Sequence, residues 1–314
     1  AVLFDQIERA AEGVGQVPAF PLALVYNKWD KGGGRAMEWL IGLAGSAGIA
    51  GAAYAARALS RSGFAAAVVV GTVMYALGSE VWYGSLIAFF VSSSLWSQWK
   101  KKAKQKAESG YEKTGRRDAG QVLANGGLGL LLCAANWAWP HPLWWYAFLG
   151  AMAAVTADTW ATEIGGLSRT PPRSIRTGRR VPPGTSGGVT ALGFGAALAG
   201  GLFIGAAAWL LLAAMPGQAT PDRIDSVLRP AVWIGTAGLA GAFGALADSW
   251  IGATWQQMYR CAVCGRDVER AVHCGRPAER IRGRAGWNND AVNLACSLAG
   301  AAFAVLLALA SGLA

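Results

Sequence analysis

Hydrophobic residues run along this chain in blocks too long for a water-soluble core, separated by compact polar islands. Runs of about 17–25 mainly apolar residues can cross a bilayer as helices, and such runs occupy 37–56, 82–97, 120–139, 143–163, 189–215, 231–255 and 289–312. Residues 64–79, FAAAVVVGTVMYALGS, are apolar but short; they either span with local thinning or form a re-entrant piece. The pattern predicts an all-α, polytopic transmembrane helical bundle of eight spans, with seven as the alternative. Gly-rich faces such as GLAGSAGIAGAAYAA at 42–56 suit close helix contact in lipid. The chain divides into a segment at 1–36 whose structure the pattern leaves open and a transmembrane domain at 37–314 that carries the candidate chemistry. Within that domain a loop of Cys, His and charged residues, 256–287, is inserted between the last two spans.

Composition agrees with a membrane chain: 54% of the 314 residues are hydrophobic and 15% charged, against about 25% charged in soluble domains. Asp5, Glu8, Arg9 and Glu12 interrupt the first residues too early for a cleavable signal. Charge sets the orientation. The loops 99–118, 166–187 and 256–287 hold 20 of the 28 Lys and Arg residues, and each is two spans from the next. All three therefore share one side, which the positive-inside rule makes the cytoplasm. The opposite side receives WPHP at 139–142, with Trp137, Trp144 and Trp145 expected as an interfacial belt, and the loop 216–230. The expected location is the cytoplasmic membrane, with the site on its cytoplasmic face and no nucleic-acid partner.

Against this background, ADTWATE at 157–163 and ADSW at 247–250 stand out, because each puts a carboxylate inside an apolar stretch. A carboxylate at such depth costs on the order of 2.5–3.5 kcal/mol even on the lenient insertion scale. Asp158 is followed eleven residues later by Arg169, and Asp248 twelve residues later by Arg260, so the two sit at similar depth near the same ends of parallel helices. Glu163 and Asp290, the latter in GWNNDAVN with Asn289 and Asn293, are the other acids at the mouths of spans. Five residues separate Asp158 from Glu163, about 140° around a helix, so on an ideal helix they do not share a ligand face, and they converge only if the helix unwinds at Gly165-Gly166. The plain alternative for these acids is interhelical hydrogen bonding or solvation at helix ends.

Carboxylates beneath a basic mouth suit Mg²⁺, which binds through one or two carboxylates plus substrate phosphates. Loop 166–188 offers the phosphate side: Arg169, Arg173, Arg176, Arg179 and Arg180, then Gly184, Thr185, Ser186, Gly187 and Gly188 leading into a helix. Successive N–H groups of a Gly-rich turn can cradle an anion, and arginine forks bind phosphate oxygens. Binding of anionic lipid head groups is the plainer alternative. A third island, TGRRDAGQVLANGG at 114–127, places Gln121 and Asn125 on one helical face below Arg116 and Arg117, where amides can meet a head group, a sugar or a base, or join helices.

Cys133 and Cys296 lie in apolar spans and read as small core residues. Cys261 and Cys264, then His273 and Cys274, lie in a loop on the reducing side and offer three thiolates and an imidazole, enough for a closed structural Zn²⁺ site.

The motifs GRRDAGQVLANGG, ADTWATEIGGLSRTPPRSIRTGRRVPPGTSGGVT, GALADSWIGATWQQMY and GWNNDAVNLAC, in that order over roughly 40–312, resemble an integral-membrane family. It includes animal transmembrane protein 19 and the plant chloroplast phytyl-phosphate kinase. The resemblance implies a kinase that passes a phosphoryl group from CTP to an isoprenyl monophosphate, giving the diphosphate. Its site would comprise Asp158, Glu163, Arg169, Arg173, Gly184, Thr185, Gly187, Gly188, Asp248, Asn289 and Asp290. The same parts would serve a lipid-alcohol kinase or a cytidylyltransferase; a transporter or flippase of a phosphorylated lipid is the alternative from another class.

Overall fold

The computed structural model describes residues 32–99, 116–214 and 230–312. The expectations for the N-terminal segment, the Lys run at 100–106 and most of the 216–230 loop therefore lie outside the described residues. The chain divides between Glu38 and Trp39, and the bundle belongs to the unit Trp39–Ala314.

Eight helices occur among the described residues: α1 Gly32–Ala55, α2 Arg61–Leu77, α3 Glu80–Gln98, α4 Ala119–Ala138, α5 Pro142–Gly165, α6 Ala191–Ala214, α7 Pro230–Thr254 and α8 Asn289–Ala310. Each predicted span is one of them, and the short apolar run is α2, of 17 residues. Four helical stretches, Ala36–Ala55, α6, α7 and α8, are long and apolar enough to cross a membrane on their own composition. Helix α5 is as long but depends on its neighbours. Thirteen consecutive residues, Trp145–Ala157, are buried on every side by other helices, and a helix sheathed in protein needs no lipid-grade apolarity. The fold class is the expected polytopic bundle.

Side-chain caps fix at least four of the eight helix starts named above. Ser60 accepts from Gly63 N–H, Asp118 and Gln121 form a reciprocal capping box, Pro142 follows the His141 cap of α5, and Asn288 caps α8. Close packing fixes the rest. A Cβ on Gly150 of α5 would overlap the Gly300 carbonyl of α8, and one on Gly201 of α6 would meet the backbone of α7 at Ala237 and Gly238. These backbones touch because the side chains are absent.

One expectation needs correction here. Trp145 is not interfacial: it is 4% exposed and packs on Trp82, Phe148 and Trp233 with ring centroids 5.0, 5.4 and 5.2 Å away. Its neighbour Trp144 is half-buried and donates to the Trp139 carbonyl at 2.8 Å.

Three small β structures, in two connections, cap one end of the bundle. In the α5–α6 connection, β1 (Arg173–Ser174) pairs antiparallel with β2 (Gly188–Val189). The α7–α8 connection forms a three-stranded antiparallel sheet in the order β4 (Asp267–Val268), β3 (Met258–Arg260), β7 (Glu279–Arg282), and a hairpin of β5 (Val272–His273) with β6 (Arg276–Pro277).

The Gly150–Gly300 contact yields a test. Gly150→Leu forces α5 and α8 apart, and overpacking of this kind costs about 1–3 kcal/mol or more. Gly48→Leu, where a Cβ meets nothing within 4 Å, is neutral. Thermal unfolding and size-exclusion profiles in detergent should separate the two; equal profiles would show that the contact does not hold the bundle.

Candidate functional site

Asp158 and Asp248 meet. Asp158 lies seven residues before the end of α5 and Asp248 six before the end of α7, about 10 and 9 Å below the loops. Both are half-buried, and their carboxyl groups are in side-chain hydrogen-bonding contact. Two ionised carboxylates repel, so this contact needs positive charge between them, from a shared proton or a cation. Neighbouring hydroxyls do not supply it: Thr156 and Thr159 donate to the Met152 and Val155 carbonyls of their own helix at 2.7 and 2.8 Å. Cys296 of α8, fully buried, is close enough for both carboxylates to act on its thiol electrostatically. Asn289, Asn293 and Cys296 recur on one face of α8, whereas Asp290 sits about 100° around from Asn289.

The Gly-rich loop rests on the end of α7. Gly187 has φ +81°, and a Cβ there would overlap Ala253 and lie 2.8 Å from the Ser249 carbonyl, next to Asp248. Only glycine fits on both counts. Ser186 donates to Gln256 Oε1 at 2.5 Å, and Gln256 is buried at 4% exposure. The turn differs from the expected nest at a helix N-terminus, because Gly188–Val189 is a strand and α6 begins only at Ala191, capped by Thr190. Thr185 N–H and hydroxyl both donate to the Pro182 carbonyl, and Gly188 N–H donates to Thr185. An anion cradle here would be made by the N–H groups of Ser186 and Gly187. Arg173 donates to the Gly178 carbonyl at 2.9 Å, bracing the hairpin, while Arg169 and Arg176 are exposed beside it.

Glu163 does not join the carboxyl pair. It accepts from Ser97 of α3 at 2.6 Å and interacts electrostatically with Arg117. Arg117 lines one end of a small apolar pocket of about 50 Å³ between α1, α2, α3 and α4, walled by Val70, Leu86, Phe89 and Phe90. Its guanidinium lies 5.8 and 5.7 Å from the Phe89 and Phe90 ring centres, and it donates to Ser94 at 3.5 Å. Gln121 and Asn125 complete the polar end; Gln121 also accepts from Asp118 N–H, and Asn125 donates to the Gln121 carbonyl. Arg116 is exposed. Arg117 lies outside α4, before the Asp118 cap and in a bridge with Leu59, so helical spacing does not place it; its nearness in sequence to the two amides is the signal that pointed to it.

Glu269 was also not anticipated as a site residue. It sits between the Cys and His pairs of the α7–α8 connection, and its charge acts on Asp248. Cys261, Cys264, His273 and Cys274 bring their ligand atoms within 4.8 Å of one another. His273 holds the Cys261 thiol down at about 6, while desolvation and the neighbouring thiols push Cys274 up to about 11.

Residues 44–301 match the family model described as Integral membrane protein DUF92. Over 256 residues the chain is 30% identical to Protein PGR of Arabidopsis thaliana, covering 76% of this chain and 85% of that relative. It is 31% identical over 209 residues to an uncharacterized membrane protein, MJ0933, of Methanocaldococcus jannaschii, covering 64% of this chain and 76% of that relative. No solved structure matches. The integral-membrane family inferred from the motifs is borne out.

The carboxyl contact can be tested for purpose. In Asp158→Asn or Asp248→Asn an amide N–H donates to the remaining carboxylate, so the contact survives without added positive charge. Both variants should unfold in detergent, without divalent metal, at or above the wild-type temperature, as expected where a site stores repulsion. A midpoint several degrees lower in both would mark the pair as a packing device.

Proposed function

The chain belongs to the DUF92 family of integral membrane proteins, and on that footing we propose that it is a membrane phosphotransferase acting on an isoprenyl monophosphate, with CTP as donor. The observation that carries the proposal is the Asp158–Asp248 pair lying beneath the Ser186–Gly187 turn. Facing carboxylates from two helices fit Mg²⁺, whose usual protein ligands are one or two carboxylates, the remaining positions going to water and phosphate oxygens. When bound, Mg²⁺ neutralises phosphate charge.

The chain's own residues would do the positioning. Ser186 and Gly187 N–H groups, with Arg169 and Arg176, would hold the donor triphosphate; Asn289 would lie at the same mouth. The small apolar pocket beside Arg117 would receive the head of the prenyl chain, and Arg117 would hold the acceptor phosphate. An acceptor oxygen attacks the γ-phosphorus, and the bond from that phosphorus to the β–γ bridging oxygen breaks, releasing CDP. The acceptor oxygen is already ionised, so no strong general base is required. That accords with the two histidines, His141 and His273, one capping α5 at the opposite end and the other in the thiol cluster. The basic loops would face the cytoplasm, where nucleotide is available.

A cytidylyltransferase would use the same groups but release inorganic pyrophosphate, which separates the two reactions. Purified protein with Mg²⁺, labelled CTP or ATP and a panel of prenyl monophosphates should give the diphosphate. Asp158→Ala and Asp248→Ala should each lower turnover by about 10²-fold or more while staying folded; wild-type turnover in both would remove them from the mechanism. Arg117→Ala should raise KM for the prenyl phosphate and leave KM for the nucleotide unchanged. An equal rise in both would detach the cavity from the acceptor.

A further inference from the structure

We propose that Cys261, Cys264, His273 and Cys274 form a closed, structural Zn²⁺ site that clamps the α7–α8 connection onto the end of α7, independently of which reaction the carboxyl pair serves. His273 Nδ1 lies 3.5 Å from Cys264 Sγ and 3.3 Å from Cys274 Sγ. In tetrahedral zinc, with Zn–S near 2.3 Å and Zn–N near 2.0–2.1 Å, a sulfur–nitrogen edge is about 3.6 Å. The observed contacts therefore already have the length of tetrahedral edges. Hydrogen bonding alone does not explain them, because a neutral imidazole nitrogen has one lone pair and cannot accept from two thiols. A single cation satisfies the nitrogen and all three sulfurs.

The backbone is bent to the same end. Cys274 has φ +51°, one of two positive-φ non-glycine residues among those described, and Gly265 and Gly275, directly after Cys264 and Cys274, have φ +70° and +72°. The left-handed turn at Cys274 lets adjacent residues His273 and Cys274 aim at one centre. Ordinary extended or helical backbone would send neighbouring side chains apart.

The apolar core of the segment is small. Of its apolar side chains, Met258, Cys261 and Val268 are buried, while Val263, Val272 and Ile281 are exposed. Arg260 pairs with Asp267 at 2.8 Å, but both side chains are about half exposed, where such pairs add little. Small metal-stapled modules draw their folding energy from the ion instead. Four protein ligands close the coordination shell, which assigns a structural role rather than a catalytic one.

What the clamp holds is defined. Arg282 donates to the Gly252 and Ala253 carbonyls at 3.0 and 2.6 Å, capping α7 one turn beyond Asp248. Gly283, at φ +93°, abuts the Gln256 carbonyl so closely that no Cβ fits. Arg284 covers Trp255 at 4.9 Å. Glu269, whose charge acts on Asp248, lies on the stretch between the two ligand pairs.

Elemental analysis of the purified full-length protein, made without added metal, tests the site. About one zinc per chain is expected, unchanged in Cys133→Ala and lost in Cys264→Ser. Removing zinc with a chelator should speed tryptic cleavage within 260–284 and expose three alkylatable thiols, with both effects reversed by zinc alone. Less than about half an equivalent in the wild type, or iron in its place, overturns the proposal. An unchanged tryptic pattern after zinc removal overturns the clamping role.

Discussion

Two carboxyl groups in contact require positive charge between them, and the bundle around Asp158 and Asp248 is shaped to make that contact unavoidable. Gly241, Gly244 and Asp248 follow one another on a single face of α7. A Cβ on Gly241 would press on the Ala153 carbonyl and Ala157, and one on Gly244 would overlap Ala154. The small-residue face that lets α7 approach α5 is thus the face that carries the acid. Ala154 and Asp158 stand in the same relation on α5. Close packing and charge placement are one device: helices held apart by larger residues would leave each acid with its own water.

Around α5 the polar groups are sorted into two centres. On the α7–α8 side lie the carboxyl pair, Cys296 and the charge of Glu269. On the α3–α4 side Glu163 is matched to Ser97 and Arg117, and so carries no need for a cation. The 140° between Asp158 and Glu163 is what separates them. Arg117 is shared between Glu163 and the apolar cavity, so an anionic head group entering there would compete with Glu163 for the guanidinium. In a site of low dielectric that competition is stronger than it would be in water.

The helices were legible because lipid imposes a length and an apolarity that sequence displays directly; the caps at Ser60, Asp118 and Asn288 emerged only with the structure. Burial inside the bundle was less so: Trp145 has the composition of an interfacial residue, and only the crowding of Trp82, Phe148 and Trp233 takes it inward. The meeting of Asp158 with Asp248 followed from equal depth on like-directed helices. The pairing of Glu163 with Ser97, and the proximity of Glu269 to Asp248, depend on rotation about helix axes and on a loop path that periodicity does not encode. The Gly184–Gly188 turn showed its anion-binding composition but not its pairing with Arg173–Ser174, since two-residue strands leave no alternation to read.

The shared direction of α5 and α7 accounts for the one-sided geometry. Because α5 and α7 run in the same direction, the connections that follow them emerge over the same spot and can touch, as Ser186 does Gln256 and Gly187 does Ala253. Oppositely directed helices would send one connection to the far end and leave the carboxyl pair capped by a single loop, with a path toward each face. Here both caps and the guanidinium of Arg282 lie above the acids. Below them the α7 face continues through Gly244, Gly241 and Ala237 into a core with Ile204, Ala208 and Trp233. A charged group can approach the pair from the loop end, whereas continuing past it would mean leaving water for close-packed hydrocarbon.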